Sequence, residues 1–172
     1  MKDYDAIRNL IARYSHAAEV IDPDAYAAVF TENGSMTEYG ETVTTRDRLR
    51  AMMAHGQSIR AKRGEFTEFY RHLQMNSLIE VDGDTGTTIT DFLLLVFDGE
   101  GWRVRGTGRY RDEVVKEADG QWLFKSRVVE FSGGVTLDGQ DPEHEGRMAA
   151  IFRSARESRS GDDRRNGGCG IE

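Results

Sequence analysis

Three Asp-Gly steps, Asp82-Gly83, Asp98-Gly99 and Asp119-Gly120, divide the second half of this chain into four runs rich in β-branched and aromatic residues. Asp-Gly between such runs is the strongest short-range hairpin signal, because both central turn positions need positive φ. The runs cover residues 65–81, 85–97, 102–117 and 121–131, and three hairpins in succession predict a four-stranded antiparallel meander. In the third run Trp102, Val104, Gly106, Gly108 and Tyr110 alternate with Arg103, Arg105, Thr107, Arg109 and Arg111, so one face is wet and basic.

The first 64 residues follow a different period. Tyr4, Ile7, Leu10, Ile11, Tyr14, Ala18 and Ile21 form one apolar stripe of a helix over residues 3–21, with Asp3 placed to cap it. Asp22-Pro23 ends that helix and opens a short second one carrying Tyr26, Val29 and Phe30, which Asn33-Gly34 stops. Residues 35–43 read as a weak strand or extended connection. Thr44 or Thr45 caps a third helix with Leu49, Met52, Met53 and Ile59 on one side, closed by Arg63-Gly64. The expected architecture is α+β, with helices on one face of a strongly curved antiparallel sheet. Beyond Ser132-Gly133-Gly134, Met148, Ile151 and Phe152 suggest a last helix. From Ser158 the composition is too polar to offset ordering entropy, which predicts one domain over 1–157 and a disordered tail over 158–172.

Composition narrows the function classes. A net charge of −7 opposes nucleic-acid binding. No apolar run approaches the ~18 residues of a membrane span, and Met-Lys-Asp-Tyr-Asp has no signal-peptide core, so a cytoplasmic protein is expected. The single cysteine, Cys169, excludes an internal disulfide framework and receives no role. No metal-ligand spacing is present, and Gly106-Thr107-Gly108 sits inside a strand, the wrong context for a nucleotide fingerprint. The expectation is no cofactor and no metal.

His72 is the candidate for chemistry, because an imidazole with pKa near 6.5 can exchange a proton at neutral pH. The bland alternative is a structural strand histidine. Strict alternation puts His72, Gln74 and Asn76 opposite Leu73 and Met75, so either the strand bulges or a polar face lines a pocket. Arg127 could stabilise a developing oxyanion if it points inward; an exposed strand arginine is the other reading.

Tyr14-Ser15-His16-Ala17-Ala18-Glu19-Val20-Ile21-Asp22, followed by Tyr26-Ala27-Ala28-Val29-Phe30-Thr31-Glu32-Asn33-Gly34, resembles the opening of the SnoaL-like branch of the NTF2-like superfamily. So do His72 with Asn76 four residues on, Ile79-Glu80-Val81-Asp82-Gly83-Asp84, and Gly108-Arg109-Tyr110-Arg111-Asp112 before Asp119-Gly120-Gln121-Trp122. The resemblance covers about residues 4–131. It implies a cone in which three N-terminal helices close over a bent sheet around an apolar pocket. The group holds dehydratases and polyketide cyclases, and it shares its fold with small subunits of aromatic-ring dioxygenases. Its lyases and isomerases use a His–Asp pair, which implies His72 as the histidine, Glu19 at the carboxylate position and Tyr14 as a pocket tyrosine. Asn76, Arg127, Tyr26 and Phe30 are the accompanying substrate-binding candidates. Two positions depart from the pattern: residue 19 is Glu rather than Asp, and Leu95 falls near a polar pocket position of the dehydratases.

The resemblance therefore implies a cofactor-independent lyase (dehydratase) or isomerase acting on a hydrophobic cyclic molecule of polyketide, steroid or terpenoid type. His72 would remove the proton, Glu19 would orient it and Tyr14 would polarise the substrate oxygen. A non-catalytic binding or assembly module is the second reading. Self-association into a homodimer or homotrimer through the open sheet face is expected.

Overall fold

The Asp-Gly steps at 82–83 and 119–120 do mark turns, but positive φ falls on the glycines, +59° at Gly83 and +83° at Gly120, and not on the aspartates. Asp82 pairs with Thr85, so the first hairpin's two-residue loop is Gly83-Asp84 rather than Asp82-Gly83. The computed structural model describes residues 2–63, 69–97, 99–132, 150 and 153. Its elements are α1 (Lys2–Val20), α2 (Pro23–Ala28), β1 (Phe30–Glu38), β2 (Glu41–Thr44), α3 (Arg46–Arg63), β3 (Phe69–Asp82), β4 (Thr85–Phe97), β5 (Trp102–Lys116) and β6 (Trp122–Phe131). The proposed last helix around Met148, Ile151 and Phe152, the boundary at 157, the tail and Cys169 lie outside the described residues. No described helix is long and apolar enough to cross a membrane.

The sheet has six strands rather than four, in the order β2-β1-β6-β5-β4-β3. The two added strands come from residues 30–44, read above as a helix end and a weak connection. Helix α2 stops at Ala28 because the next carbonyl is claimed by the sheet: Val29 O accepts from Phe124 N of β6 at 2.9 Å. Strand β1 then runs parallel to β6, while every other pair is antiparallel. The Arg46 guanidinium donates to Phe30 O at 2.9 and 2.6 Å and holds the crossover in place. Phe30 therefore sits on β1 and not on the second helix.

The helices cover one face of the curved, open sheet. Ile7, Leu10, Ile11 and Tyr14 of α1 are buried against it, as the stripe predicts, but Tyr4 at its start is exposed, and near its end Ala17 is buried while Ala18 is only partly so. Asp3 lies inside the first turn and ties α1 to the sheet instead of capping it, accepting from Trp122 Nε1 at 2.9 Å beside Lys116 Nζ, also at 2.9 Å. Asp22 caps α2, accepting from the backbone N–H of Asp24 and Ala25. The register shifts at four places: between Phe30 and Ser35 of β1 against β6, at Met75–Leu78 of β3 against β4, at Arg105 of β5 opposite Leu94/Leu95, and at Lys125 of β6 opposite Glu113/Val114. Each extra residue raises local twist and reverses which face the following side chains occupy.

Candidate functional site

Strand β3 brings His72 and Gln74 to the inner face and sends Leu73 out, 42% exposed. At the bulge Asn76 adopts φ +53° and the phase changes, so that Ile79 and Val81 pack into the core. Asn76 is thereby turned to the outer surface, where its amide lies 3.5 Å from Asp91 Oδ2. Both sequence alternatives occur in one strand: the polar face points inward up to Gln74, and the bulge follows. Gln74 joins the sheet to α1, its amide nitrogen donating to Ile11 O at 3.2 Å and to Ser15 Oγ.

A second bulge sets Arg127. Phe124 pairs with Val114 and Ser126 with Glu113, leaving Lys125 as the extra residue and turning Arg127 inward opposite Asp112. Arg127 Nε and Nη2 each donate to one Asp112 oxygen at 2.8 Å, a bidentate pair, and Thr88 Oγ1 donates to Asp112 at 2.6 Å. Arg127 Nη2 also approaches Gln74 Oε1 at 3.4 Å. The guanidinium carbon stands 4.1, 4.2 and 4.0 Å from the ring centroids of Tyr14, Tyr110 and Phe124. Burial works against its charge, and the Asp112 charge and hydrogen bonds more than reverse that, so its pKa rises. Arg127 Nη1 is buried with no acceptor among the described residues. The inward orientation that an oxyanion role requires is present. The group is sealed under aromatic rings, however, with its side chain 0% exposed.

Tyr14 is the hub of the aromatic floor. Its ring centroid lies 5.2 Å from Tyr26, 5.7 Å from Tyr110, 5.9 Å from His72, 6.0 Å from Phe124 and 6.3 Å from Phe30. Burial raises the pKa of Tyr14 and carries those of Tyr26 and Tyr110 well above 10, so all three are phenols at neutral pH. The Tyr110 hydroxyl meets His72 Nε2 at 2.6 Å. Burial first, and the Arg127 charge second, hold the His72 pKa at about 3, so its imidazole is neutral.

Glu19 does reach His72, but at the backbone: its Oε1 accepts from His72 N at 2.7 Å, and Arg71 Nη1 lies 3.7 Å from the other oxygen. The reason is topological. Strand β3 is the edge of the sheet, and the His72 amide on its open side has no strand to bond. The last turn of α1 supplies the missing acceptor. The ring of His72 is partnered by Tyr110, a pairing that sequence reasoning missed, although Tyr110 shares the inward period of β5 with Gly108, Asp112 and Val114.

The family profile for a SnoaL-like domain matches residues 1–128. The chain belongs to this family. The fold is also that of solved structures: a variant of Rv3472 from Mycobacterium tuberculosis, a protein of unknown function, is 26% identical with a TM-score of 0.73, covering 89% of this chain and 96% of that one. An NTF2-like protein with a cystatin-like fold from Novosphingobium aromaticivorans is 23% identical with a TM-score of 0.67, covering 79% and 86%. A Catenulispora acidiphila protein in complex with S-DNPA is 23% identical with a TM-score of 0.61, covering 74% and 92%. No curated protein sequence matches significantly.

Within this SnoaL-like domain the interior divides into a sealed floor and a reachable rim. Tyr14, Tyr26, Phe30, Tyr110, Phe124 and Arg127 are buried, whereas His72 is half-buried. Among the polar groups that share that status are Glu19, Gln74 and Glu38. On β1, Gly34, Met36 and Glu38 share a face; Met36 is buried, and Glu38 behind it is half-buried. Withdrawal from water lifts the Glu38 pKa from 4.5 to about 7, and its charge in turn raises those of Tyr14, Tyr26 and Tyr110. Residues 35–43 gave no firm period, so Glu38 was missed; alternation from Met36 is the signal that would have found it.

Among the described residues no group of three or more His, Cys, Asp or Glu could hold a metal ion. A groove of about 470 Å³ at the far end of the sheet is lined by Glu80, Asp82, Thr87, Glu113 and Lys125. It is open, Val81, Val114 and Val115 also line it, and it lies eight or more strand residues from His72, roughly 26 Å at ~3.3 Å per residue.

Proposed function

We propose that this SnoaL-like domain is a cofactor-independent lyase or isomerase for a hydrophobic cyclic small molecule of polyketide, steroid or terpenoid type. The observation that carries the reading is the His72 imidazole: neutral, half-buried and hydrogen-bonded through Nε2 to a buried phenol at the edge of an aromatic floor. The complex of the Catenulispora acidiphila protein with S-DNPA supports ligand binding by this fold.

The chemistry follows from protonation state. A histidine with pKa about 3 is a weak base at neutral pH, so His72 is better suited to hydrogen bonding than to proton removal. With the Tyr110 hydroxyl donating to Nε2, the ring proton resides on Nδ1, which is then the donor to a substrate carbonyl oxygen. Negative charge growing on that oxygen is stabilised by this donor and by the nearby Arg127 field. Glu19 acts on His72 through the backbone amide, holding the edge strand in place. Tyr14, Tyr26 and Phe30 are buried and form the packed aromatic floor beneath His72, and the apolar rings of the substrate would rest above that floor at the half-buried rim.

The test uses 2-tetralone, a bicyclic hydrophobic ketone, and follows deuterium exchange at its α-carbons in D₂O by proton NMR. The wild-type chain should accelerate exchange, His72→Ala should lose at least about tenfold, and Glu19→Gln should lose less. Equal rates for wild type and His72→Ala, with both chains folded, would sink the assignment of His72. The second reading, a non-catalytic binder, is favoured by the sealed state of Arg127 and Tyr14. It predicts that 2-tetralone binds without any exchange.

A further inference from the structure

Four glycines lie inside the described strands: Gly34 of β1, Gly86 of β4, and Gly106 and Gly108 of β5. Close packing requires three of them. A Cβ would fall 2.9 Å from Phe30 Cβ at Gly34, 2.6 Å from Glu80 O at Gly86, and 2.8 Å from Cε1 and Cζ of Phe92 at Gly108. Gly106 is different: a Cβ there would meet only Leu94 Cδ1, at 3.7 Å, which is an ordinary contact. A glycine inside a strand marks a bulge, a sharp bend or the close approach of another group. The extra residue of the adjoining bulge is Arg105, and a glycine-specific bulge needs positive φ, which Gly106 does not have. Close approach of a ligand is the remaining use of the space.

Strand register fixes what that space faces. Gly106 pairs with Leu94 and Leu94 with His72, so the three make one inward row across β5, β4 and β3, half-buried at each position. The next row, Gln74, Phe92, Gly108 and Phe131, is closed beside Gly108 by the Phe92 ring. Its far end is aromatic and accessible. Phe131 is 37% exposed, meets Phe92 edge-on at 5.7 Å and stacks on Tyr39 at 4.9 Å. At the other end of the open row, Tyr110 holds His72 Nε2, and Nδ1 has no hydrogen-bond partner among the described residues. The row thus offers a polar atom at one end, an apolar side chain in the middle and open room at the other end, with an aromatic wall alongside.

We propose that this row seats the ring system of the ligand, its oxygen at His72 and its far ring over Gly106, and that Gly106 determines how long a ring system the domain accepts. The inference rests on the reading of His72 as the group that holds the substrate oxygen. Two strand spacings of ~4.8 Å separate His72 from Gly106, roughly 9.6 Å along the row, which suits a fused bicyclic or tricyclic skeleton and exceeds a single ring. The skeleton lies on Leu94, and its edge meets Phe92 and Phe131, since aromatic rings pack offset or edge-to-face. A side chain at position 106 would project into the room that the far ring takes. Glycine is therefore needed there for the ligand and not for the fold.

The experiment measures binding of 2-tetralone and of the single-ring ketone cyclohexanone to wild type, Gly106→Ala, Gly106→Leu and His72→Ala by NMR titration. Intermolecular NOEs recorded on wild type give a reading that needs no variant. The proposal expects NOEs from the aromatic protons of 2-tetralone to the Leu94 methyls and the Gly106 α-protons. It expects Gly106→Leu to weaken 2-tetralone about tenfold or more, Gly106→Ala to weaken it less, and cyclohexanone to change by less than about twofold in either. His72→Ala should weaken both ketones alike, because both carry the oxygen. A folded Gly106→Leu chain that binds 2-tetralone as tightly as wild type, or NOEs confined to other residues, overturns the ring seat, and a loss in His72→Ala then leaves the His72 reading intact. NOEs at Leu94 and Gly106 with no loss in His72→Ala uphold the ring seat and remove His72. If Gly106→Leu does not fold, the wild-type NOEs decide. A wild-type chain that does not bind 2-tetralone overturns the proposal.

Discussion

The inward faces of β5 and β6 and the inward faces of β1 and β3 carry polar chemistry into one aromatic interior under different conditions. On β5 and β6, Arg127 and Asp112 are completely buried, bonded to each other twice and flanked by Thr88 and Gln74. On β1 and β3, Glu38 and His72 are only half-buried. Among the described residues Glu38 has no counter-charge, and His72 has a phenol and no carboxylate on its ring. Compensation explains the difference in protonation. The paired arginine keeps its charge against burial, while the unpaired histidine and glutamate drift toward their neutral forms. The fully satisfied pair builds a rigid floor, and the uncompensated groups lie at its rim.

Breaking the floor should have the largest effect. Arg127→Met leaves Asp112 ionised, buried and unpaired, which should cost about 3–5 kcal/mol in urea unfolding. The double variant Arg127→Met/Asp112→Leu should recover most of that loss, because no orphaned charge remains. A single variant within ~1 kcal/mol of wild type would show that the pair contributes little to holding the fold.

The rim is probed by pH. His72 has a folded pKa of about 3 against 6.5 for the free group, so the unfolded chain takes up a proton that the native state refuses. Its contribution to stability is fully present above pH 6.5 and is lost as pH falls toward 3. Between pH 6.5 and 5 the loss should be about 2 kcal/mol, at roughly 1.4 kcal/mol per pH unit, and His72→Gln should flatten that slope. An unchanged slope in His72→Gln would show that the imidazole is not buried as neutral.

Glu38 acts in the opposite sense and more weakly. Its folded pKa of about 7 lies above the ordinary 4.5, so its contribution is present below pH 4.5 and is lost as pH rises through 7. Allowing for partial exposure, Glu38→Gln should stabilise the chain by about 1–2 kcal/mol at pH 8 and by nothing at pH 4. Equal unfolding midpoints for Glu38→Gln and wild type at pH 8 would place Glu38 on the solvated side of the comparison.

Much of the frame was legible in the residue order. Alternation and Asp-Gly chemistry placed β3 to β6 to within a residue or two over the described positions, and the three-and-four stripe placed α1. Strands β1 and β2 were not legible, because Phe30 and residues 35–43 combine helix-end and strand features. Hydrogen bonding of Val29 and Phe30 to β6 and to Arg46 resolved them. His72, Tyr14, Tyr26 and Phe30 were singled out from the chain, and the structure brings the four rings together around Tyr14. Asn76 was singled out with them and lies outside. Asp112, Tyr110 and Glu38 were overlooked, although simple alternation within β5 and β1 points each of them inward.

The sequence by itself determined the element types, the hairpin turns, the apolar stripe of α1 and the presence of a histidine among apolar strand residues. Those are properties of neighbouring residues, set by φ preferences and periodicity. Only the tertiary structure decided which side chains meet. One extra residue at Asn76 turned the amide out while His72 stayed in, and one at Lys125 turned Arg127 in to meet Asp112. A single inserted residue reverses a strand's faces, and whether it is absorbed as a bulge depends on the partner strands, which no local pattern contains.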